Sequence, residues 1–246
     1  MSVLPDASAQ AVFEKILAAP DLAGALKIIE SHWGPSASLS TSFSLEDQII
    51  AHHIFLSAPG LDVFTLDTGR LFKETYAVWS RTLERYGKPI RTMYPKPELL
   101  ETYVAEYGPN AFYQSVELRK QCCNLRKVEP LQRALSGKKV WITGIRAAHS
   151  SGRSHMPQVE WDPVYGIIKF HPLLNWTDDM VRDEISKHNI PYNVLHDRGF
   201  VSIGCEPCTR AIKPGEDFRA GRWWWEDADK KECGLHVHED PQKNEE

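Results

Sequence analysis

The stretch Ser38-Leu39-Ser40-Thr41-Ser42-Phe43-Ser44-Leu45-Glu46-Asp47 contains the pattern that decides the fold. Its first half predicts a short strand, and the apolar residues Ile49, Ile50 and Ile54 that follow have helical spacing. A strand, a serine-rich turn and a helix N-terminus bring free backbone N–H groups and the positive end of the helix dipole together. The turn is therefore a candidate anion-binding site, and the competing interpretation is an ordinary connection that binds nothing.

The alternation of strand and helix continues along the chain. Further strands are predicted at residues 61–66, 88–94, 139–143 and 167–174, and helices at residues 72–86, 98–108, 117–135 and 177–188. Such alternation predicts an α/β fold with a parallel sheet. Ligands of these folds gather at the carboxyl ends of the strands, where the serine-rich turn and Asp67-Thr68-Gly69-Arg70 both fall.

We expect three regions in the chain. Two short helices are predicted between about residues 8 and 33, and they form an N-terminal helical arm, residues 1–36. The α/β domain takes residues 37–232, and residues 233–246 form a charged C-terminal tail.

Charge and hydropathy narrow the class of protein. The 246 residues carry a formal net charge of −4, whereas a dedicated nucleic-acid-binding protein is usually basic. Residues 1–6 lack the features of a signal peptide, and no apolar run approaches the length of a membrane span. We therefore expect a cytoplasmic protein that binds neither nucleic acid nor membrane.

The cysteines divide into two pairs and one single residue. The chain has five, namely Cys122, Cys123, Cys205, Cys208 and Cys233. In a reducing cytosol, paired cysteines favour metal or redox chemistry over disulfides, and four thiolates suit a zinc ion or an iron–sulfur cluster. The single cysteine, close to His236, suits a nucleophile. Adjacent helical residues point about 100° apart, so if both bind one group, either the helix kinks or the group caps one edge of it. The competing interpretation is that one of the two is a core residue.

Four cations are candidates for binding an anion. Lys127 follows Cys123 by four residues, which places both on one helix face unless the lysine is simply solvated. Arg146 follows the strand at residues 139–143. Arg219 and Arg222 share a face if their segment is helical, and a solvated basic surface is the competing interpretation.

These residues, taken in order, resemble the assimilatory adenylyl-sulfate and phosphoadenylyl-sulfate reductases. The matching segments are Ser42-Phe43-Ser44-x-Glu46-Asp47, Leu66-Asp67-Thr68-Gly69 with Glu74-Thr75-Tyr76, Cys122-Cys123-x-x-x-Lys127, Gly144-x-Arg146, His171-Pro172-Leu173, Pro191-Tyr192-Asn193, Ser202-Ile203-Gly204-Cys205-x-Pro207-Cys208-Thr209, Arg219-x-Gly221-Arg222-Trp223-Trp224 and Glu232-Cys233-Gly234-Leu235-His236. Each motif alone is weak, but the ordered set covers nearly the whole chain.

The resemblance implies an adenine nucleotide α-hydrolase-like fold and reductive cleavage of a sulfonucleotide. Cys233 would attack the substrate sulfur and form an S-sulfocysteine, from which thioredoxin or glutaredoxin would release sulfite. Lys127 and His236 would assist catalysis by neutralising charge, together with Arg219 and Arg222. The substrate-binding residues implied are Ser42, Phe43, Ser44, Glu46, Asp47, Leu66, Thr68, Gly144, Arg146, Arg219 and Arg222. We also expect a homo-oligomer.

The two cysteine pairs resemble the subgroup that contains a [4Fe–4S] cluster and mostly uses adenylyl sulfate. Cys122, Cys123, Cys205 and Cys208 would bind this cluster, in a structural and electrostatic role. Leu45 stands where many relatives have glycine, and the 3′-phosphorylated substrate stays open as a second substrate, alone or alongside adenylyl sulfate. Two different classes of protein compete with the reductase, a zinc-stabilised nucleic-acid module and a tRNA-thiolating enzyme, although residues 42–47 lack the glycines of the latter's ATP loop.

Overall fold

A computed structural model describes residues 7–149 and 156–227. Its six-stranded sheet has the order β3-β2-β1-β4-β6-β5. The strands are β1 (Ala37–Thr41), β2 (Asp62–Leu66), β3 (Arg91–Met93), β4 (Val140–Ile142), β5 (Val159–Asp162) and β6 (Ile167–Phe170). All neighbouring strands pair in parallel except β5 and β6, which are antiparallel. The prediction of a mostly parallel α/β sheet is therefore confirmed.

Helices follow most strands, as the sequence pattern predicts. They are α1 (Ala7–Leu17), α2 (Leu22–Trp33), α3 (Leu45–Ser57), α4 (Lys73–Tyr86), α5 (Pro97–Tyr107), α6 (Val116–Cys123), α7 (Glu129–Leu135) and α8 (Asp178–Lys187). None of these described helices is both long and apolar enough to cross a membrane.

The antiparallel edge strand β5 was not predicted from the sequence. Its residues Glu160 and Asp162 are charged yet buried, because Lys169 of β6 forms ion pairs with both carboxylates. The four residues of β5 do alternate between apolar and polar side chains, but a run this short is at the lower limit at which a strand is recognised.

The segment predicted as one helix over residues 117–135 is interrupted. A single π-helical turn, Asn124–Val128, separates α6 from α7 and begins directly after Cys122-Cys123. A π-turn alters the angular spacing of the side chains around it and often marks a functional site. The helix is therefore interrupted directly after the tandem cysteines, which themselves end α6.

The order of the strands determines where the site lies. Strand β1 has β2 on one side and β4 on the other, so the direction of chain progression reverses between β1 and β4. In open α/β sheets a ligand crevice forms at such a reversal, outside the carboxyl ends of the strands. The turn after β1 and the segment after β4 meet at this point.

Candidate active site

A cavity of about 270 Å³ opens at the carboxyl ends of β1, β2 and β4. Of the candidate residues in the described chain, it is lined by Ser42, Phe43, Ser44, Glu46, Asp47, Leu66, Thr68, Lys127, Gly144, Arg219 and Arg222. The structure thus brings together residues from the serine-rich turn, the cysteine-bearing helix and the C-terminal arginine segment.

The turn between β1 and α3 is held in shape by its own side chains. The Asp47 carboxylate accepts hydrogen bonds from the Ser42 backbone N–H at 2.7 Å and the Ser42 hydroxyl at 2.8 Å. The Ser44 hydroxyl caps α3 by accepting from the Asp47 N–H. Phe43 has a left-handed backbone with φ of 61°, and its ring stacks on Trp79 at 5.4 Å. The turn is therefore preformed for a ligand.

Asp47 is an acidic residue in a candidate anion-binding site, and its pKa is shifted. Burial raises its pKa to about 6, and the two hydrogen bonds from Ser42 offset only part of this effect. Gly144 permits the close approach of the segment after β4, because a Cβ atom at this position would overlap the Asp47 carboxylate. Asp47 therefore links the turn to the opposite side of the crevice.

Arg146 is the predicted substrate-binding residue that does not line the cavity. Its guanidinium is buried and lies 2.8 Å from the Glu46 carboxylate and 2.5 Å from that of Asp178. It also donates to the Trp176 carbonyl at 3.1 Å. Arg146, which the sequence predicted to bind the substrate, therefore forms ion pairs with Glu46 and Asp178 instead.

Arg219 and Arg222 reach the cavity from a turn, not from a helix. The Arg222 N–H donates to the Arg219 carbonyl at 2.9 Å, and the two guanidinium groups lie 4.8 and 5.9 Å from the ring of Trp223, with Arg222 the nearer. The Arg222 Nε atom is buried and has no hydrogen-bond partner among the described residues. This buried nitrogen therefore retains an unused hydrogen-bond donor beside the cavity.

Two residues on this side of the cavity belong to the matching motifs but were not predicted as site residues. Trp223 is almost fully buried, with a left-handed backbone at φ of 40°, and provides the surface on which the arginines lie. Ser202 lines the cavity and accepts a hydrogen bond from Arg222 at 3.4 Å. The motif around Arg219 contained Trp223, but nothing in its local pattern indicated a supporting role.

Four cysteines line a second, smaller cavity that adjoins the first. These are Cys122, Cys123, Cys205 and Cys208, with Lys127 belonging to the walls of both cavities. Burial raises the pKa of the Cys122 thiol and raises that of Cys208 to about 12. The Cys205 thiol forms a hydrogen bond of 3.2 Å with the Thr68 hydroxyl, which itself faces the larger cavity.

The sequence that builds this geometry matches a known protein family. Residues 36–211 match the model of the phosphoadenosine phosphosulfate reductase domain. The chain belongs to the phosphoadenosine phosphosulfate reductase family. It is 49% identical over 234 residues to the adenosine 5′-phosphosulfate reductase of Sinorhizobium fredii USDA 257, covering 95% of this chain and 92% of that protein. For the enzyme of that name from Allochromatium vinosum the identity is 46% over 204 residues, with 83% and 80% covered.

Solved structures confirm the fold of the reductase family. The phosphoadenylyl-sulfate reductase of Candida auris superposes with a TM-score of 0.71 at 27% identity, covering 86% of this chain and all of that one. The FMN adenylyltransferase of Candida glabrata, at 15% identity and a TM-score of 0.51, shares the fold alone, with 91% of this chain and 76% of that one covered. The predicted family and nucleotide-binding fold are thus both confirmed.

The reductase chain offers a donor set that suits an iron–sulfur cluster. Within residues 7–149 and 156–227, no three His, Cys, Asp or Glu side chains converge closely enough to hold a single metal ion. The four cysteines instead surround a shared space, and a four-iron cluster binds one thiolate at each of its separated irons. Arg70, Arg119, Arg126 and Lys127 line the same space and would offset the charge of the thiolates. The residues present therefore fit such a cluster.

The two remaining catalytic candidates, Cys233 and His236, lie outside the described residues. The described chain ends at Asp227, six residues before Cys233. Six residues span at most about 20 Å when extended. Glu226 is anchored by a buried, two-pronged ion pair with Arg119, at 2.8 and 3.0 Å.

Proposed function

We propose that this protein reduces adenylyl sulfate to sulfite and AMP. The observation that carries the proposal is the 44–50% identity to relatives named adenosine 5′-phosphosulfate reductase, over most of the chain. The cavity supports it, because its preformed turn suits an anionic phosphate and its arginine side suits a sulfonate. The family match favours this function over the nucleic-acid module and the tRNA-thiolating enzyme.

In the proposed mechanism the chain's own residues bind and orient the sulfonucleotide. The phosphate is placed at the serine-rich turn, whose N–H groups and helix dipole favour negative charge. The sulfonate faces Lys127, Arg219 and Arg222, which disperse its charge as a nucleophile approaches. The aromatic support of Trp223 fixes the direction of both guanidinium groups.

The chemistry proceeds in two thiol steps. The Cys233 thiolate attacks the sulfonate sulfur, the bond from sulfur to the phosphate oxygen breaks, and AMP leaves with that electron pair. The enzyme then carries an S-sulfocysteine. The second step uses both thiols of thioredoxin, or of glutaredoxin: one attacks the cysteine sulfur and sulfite leaves with the electron pair of the S–S bond, and the other then displaces Cys233 from the mixed disulfide, which leaves the reductant oxidised and Cys233 free. His236 would complete the set of cations near the sulfonate.

We propose that Cys122, Cys123, Cys205 and Cys208 hold a [4Fe–4S] cluster. The group would supply a rigid anchor for the cysteine-bearing helix and a fixed charge near the substrate, without passing electrons to it. Lys127 lies between the two cavities, so its ammonium group would face both the cluster and the sulfonate.

We further propose that the enzyme acts in the cytoplasm, in assimilatory sulfate reduction and cysteine biosynthesis. The 3′-phosphorylated substrate is the second candidate, used alone or alongside adenylyl sulfate. It is favoured by the likeness to a structure described as a phosphoadenylyl-sulfate reductase in complex with phosphate. The lower identity of that structure, 27% against 49%, makes it the weaker guide to substrate.

The test is sulfite release by anaerobically purified protein with thioredoxin, measured in parallel from both sulfonucleotides. We expect a preference for adenylyl sulfate and measurable iron and sulfide in the protein. The Cys233→Ser variant should lose turnover completely yet bind adenylyl sulfate as the wild type does, because only the nucleophile is removed. Preference for the phosphorylated substrate would favour the second candidate, and turnover by the variant would exclude Cys233 as the nucleophile.

A further inference from the structure

Two adjacent carboxylates stand where the proposed substrate brings negative charge. Glu46 and Asp47 occupy the first turn of α3, both are almost fully buried, and both line the larger cavity. Like charges in a site of low dielectric repel strongly. A site that binds a sulfonucleotide therefore needs a means of neutralising these acids.

The surroundings of the two carboxylates affect their negative charges in different ways. Asp47 has its pKa raised to about 6 by burial, so it takes up a proton as the pH falls towards 6. Glu46 instead faces the guanidinium of Arg146, with 2.8 Å between Arg146 Nε and Glu46 Oε1. Both partners of this ion pair are about 5% exposed or less.

Arg146 also has partners on the side of its guanidinium that faces the solvent. Its Nη2 atom lies 2.5 Å from Asp178, whose side chain is 77% exposed at the start of α8. Its Nη1 atom donates to the Trp176 carbonyl just before that helix. The guanidinium thus joins the first turn of α3 to the first turn of α8 and does not line the cavity.

From this geometry we infer that Arg146 is a positioning residue that neutralises Glu46 and thereby allows the turn at residues 42–47 to accept the substrate's phosphate. Asp178 anchors the arginine from outside. The inference rests on the proposed function and refines it: Arg146 acts through Glu46, not by contacting the nucleotide. Removing Arg146 leaves the buried carboxylate without this cation beside the incoming anion.

The experiment measures the dissociation constant of adenylyl sulfate by calorimetry, in a Cys233→Ser background that prevents turnover. Arg146→Gln should weaken binding by about 10- to 100-fold, because the buried Glu46 carboxylate then repels the incoming phosphate without the charge of Arg146 beside it. Adding Glu46→Gln to Arg146→Gln should recover at least about tenfold, because the carboxylate that Arg146 faced is then replaced by a neutral amide. A double variant as weak as Arg146→Gln alone would overturn the inference and make Arg146 a direct ligand.

Two further variants separate positioning from folding. Arg146→Lys keeps a cation beside Glu46 and should bind within about fivefold of the parent, whereas binding as weak as that of Arg146→Gln would contradict the inference. Arg182→Gln, an exposed arginine on α8, is the matched control and should bind as the parent does. A lower Tm with unchanged affinity for Arg146→Gln would reduce Arg146 to a structural residue.

If Arg146→Gln fails to fold, Asp178→Asn provides the test, since it releases the anchor without removing the arginine. We expect a loss of about two- to fivefold in affinity, which disappears in the Glu46→Gln background. The same loss in both backgrounds would overturn the inference. All of these readouts are binding constants, so they remain interpretable even if the protein reduces neither sulfonucleotide and the proposed reaction is wrong.

Discussion

At the scale of single residues, Asp47 shows how burial changes the chemistry of the site. The Ser42 N–H and hydroxyl stabilise its ionised form, but desolvation is the larger effect and its pKa rises to about 6. Between the ordinary carboxyl pKa and 6, the folded protein holds a proton that the unfolded chain has released. The stability that this proton contributes is present at low pH and is lost as the pH rises through 6.

The same titration should govern substrate affinity. As the pH falls from 7 to 5, protonation of Asp47 removes a negative charge from the anion site, and adenylyl sulfate should bind more tightly. Calorimetric titrations between pH 5 and 8, again in the Cys233→Ser background, measure this dependence. The Asp47→Asn variant should lose it, and an unchanged pH profile in that variant would show that another group titrates.

At the scale of secondary-structure elements, helices α3, α4 and α8 meet at a cluster of imidazole rings. The His52 ring lies 5.2 Å from that of His53 and 5.0 Å from that of His188, and its Nδ1 atom is 2.8 Å from the Tyr86 hydroxyl. The Glu184 carboxylate faces His53 and His188. Burial, followed by these neighbouring histidines and Arg85, lowers the pKa of His52 to about 4.

This cluster predicts acid sensitivity of the helix packing. The folded pKa of His52 is below its unfolded value of about 6.5, so the unfolded chain binds the proton first and stability falls as the pH drops from 6.5 towards 4. The loss should be on the order of 3 kcal/mol, measured by urea unfolding at several pH values. His52→Gln should flatten this slope, whereas the exposed His32→Gln control should retain it.

At the scale of the whole molecule, the N-terminal helical arm is part of the main core. Phe13 of α1 is fully buried, with its ring 5.2 Å from Trp33 of α2 and 5.9 Å from Phe170 of β6. Leu26 and Ile29 of α2 belong to the same apolar cluster as the sheet. The boundary predicted at residue 36 therefore does not coincide with a break in the core.

Shortening the Phe13 side chain tests whether the helical arm and the sheet share one core. Phe13→Ala should lower the free energy of unfolding by about 3–5 kcal/mol, the range for a large cavity in a packed core. Denaturant unfolding should still show a single transition, since arm and sheet share one core. Lys15→Ala, on the exposed face of α1, is the control. A change below about 1 kcal/mol for Phe13→Ala, or two transitions in the parent, would mean that the arm folds separately.

Much of the fold was predictable because its signals are local. The serine-rich turn, the Asp21 and Thr177 helix caps and the alternation of strand and helix all depend on neighbouring residues. Strand β5 was missed because it is only four residues long, and the burial of its two carboxylates depends on Lys169 of another strand. The cavity could likewise be assembled from motifs, but the contact of Trp223 with Arg119, which lies more than a hundred residues away in the sequence, could not.

The sequence by itself determined the family, the parallel α/β sheet and the chemical types at the site, since these follow from local spacing and residue identity. It also indicated that the tandem cysteines could bind one group only if the helix kinked or the group capped one edge, and only the structure showed the π-turn directly after them. The tertiary structure alone decided which groups pair. Arg146 follows a strand end that pointed to the substrate, yet the packing of α8 beside α3 gave it Asp178 and Glu46 as partners. Local sequence specifies a charge, but the partner of that charge is set by segments distant in the chain.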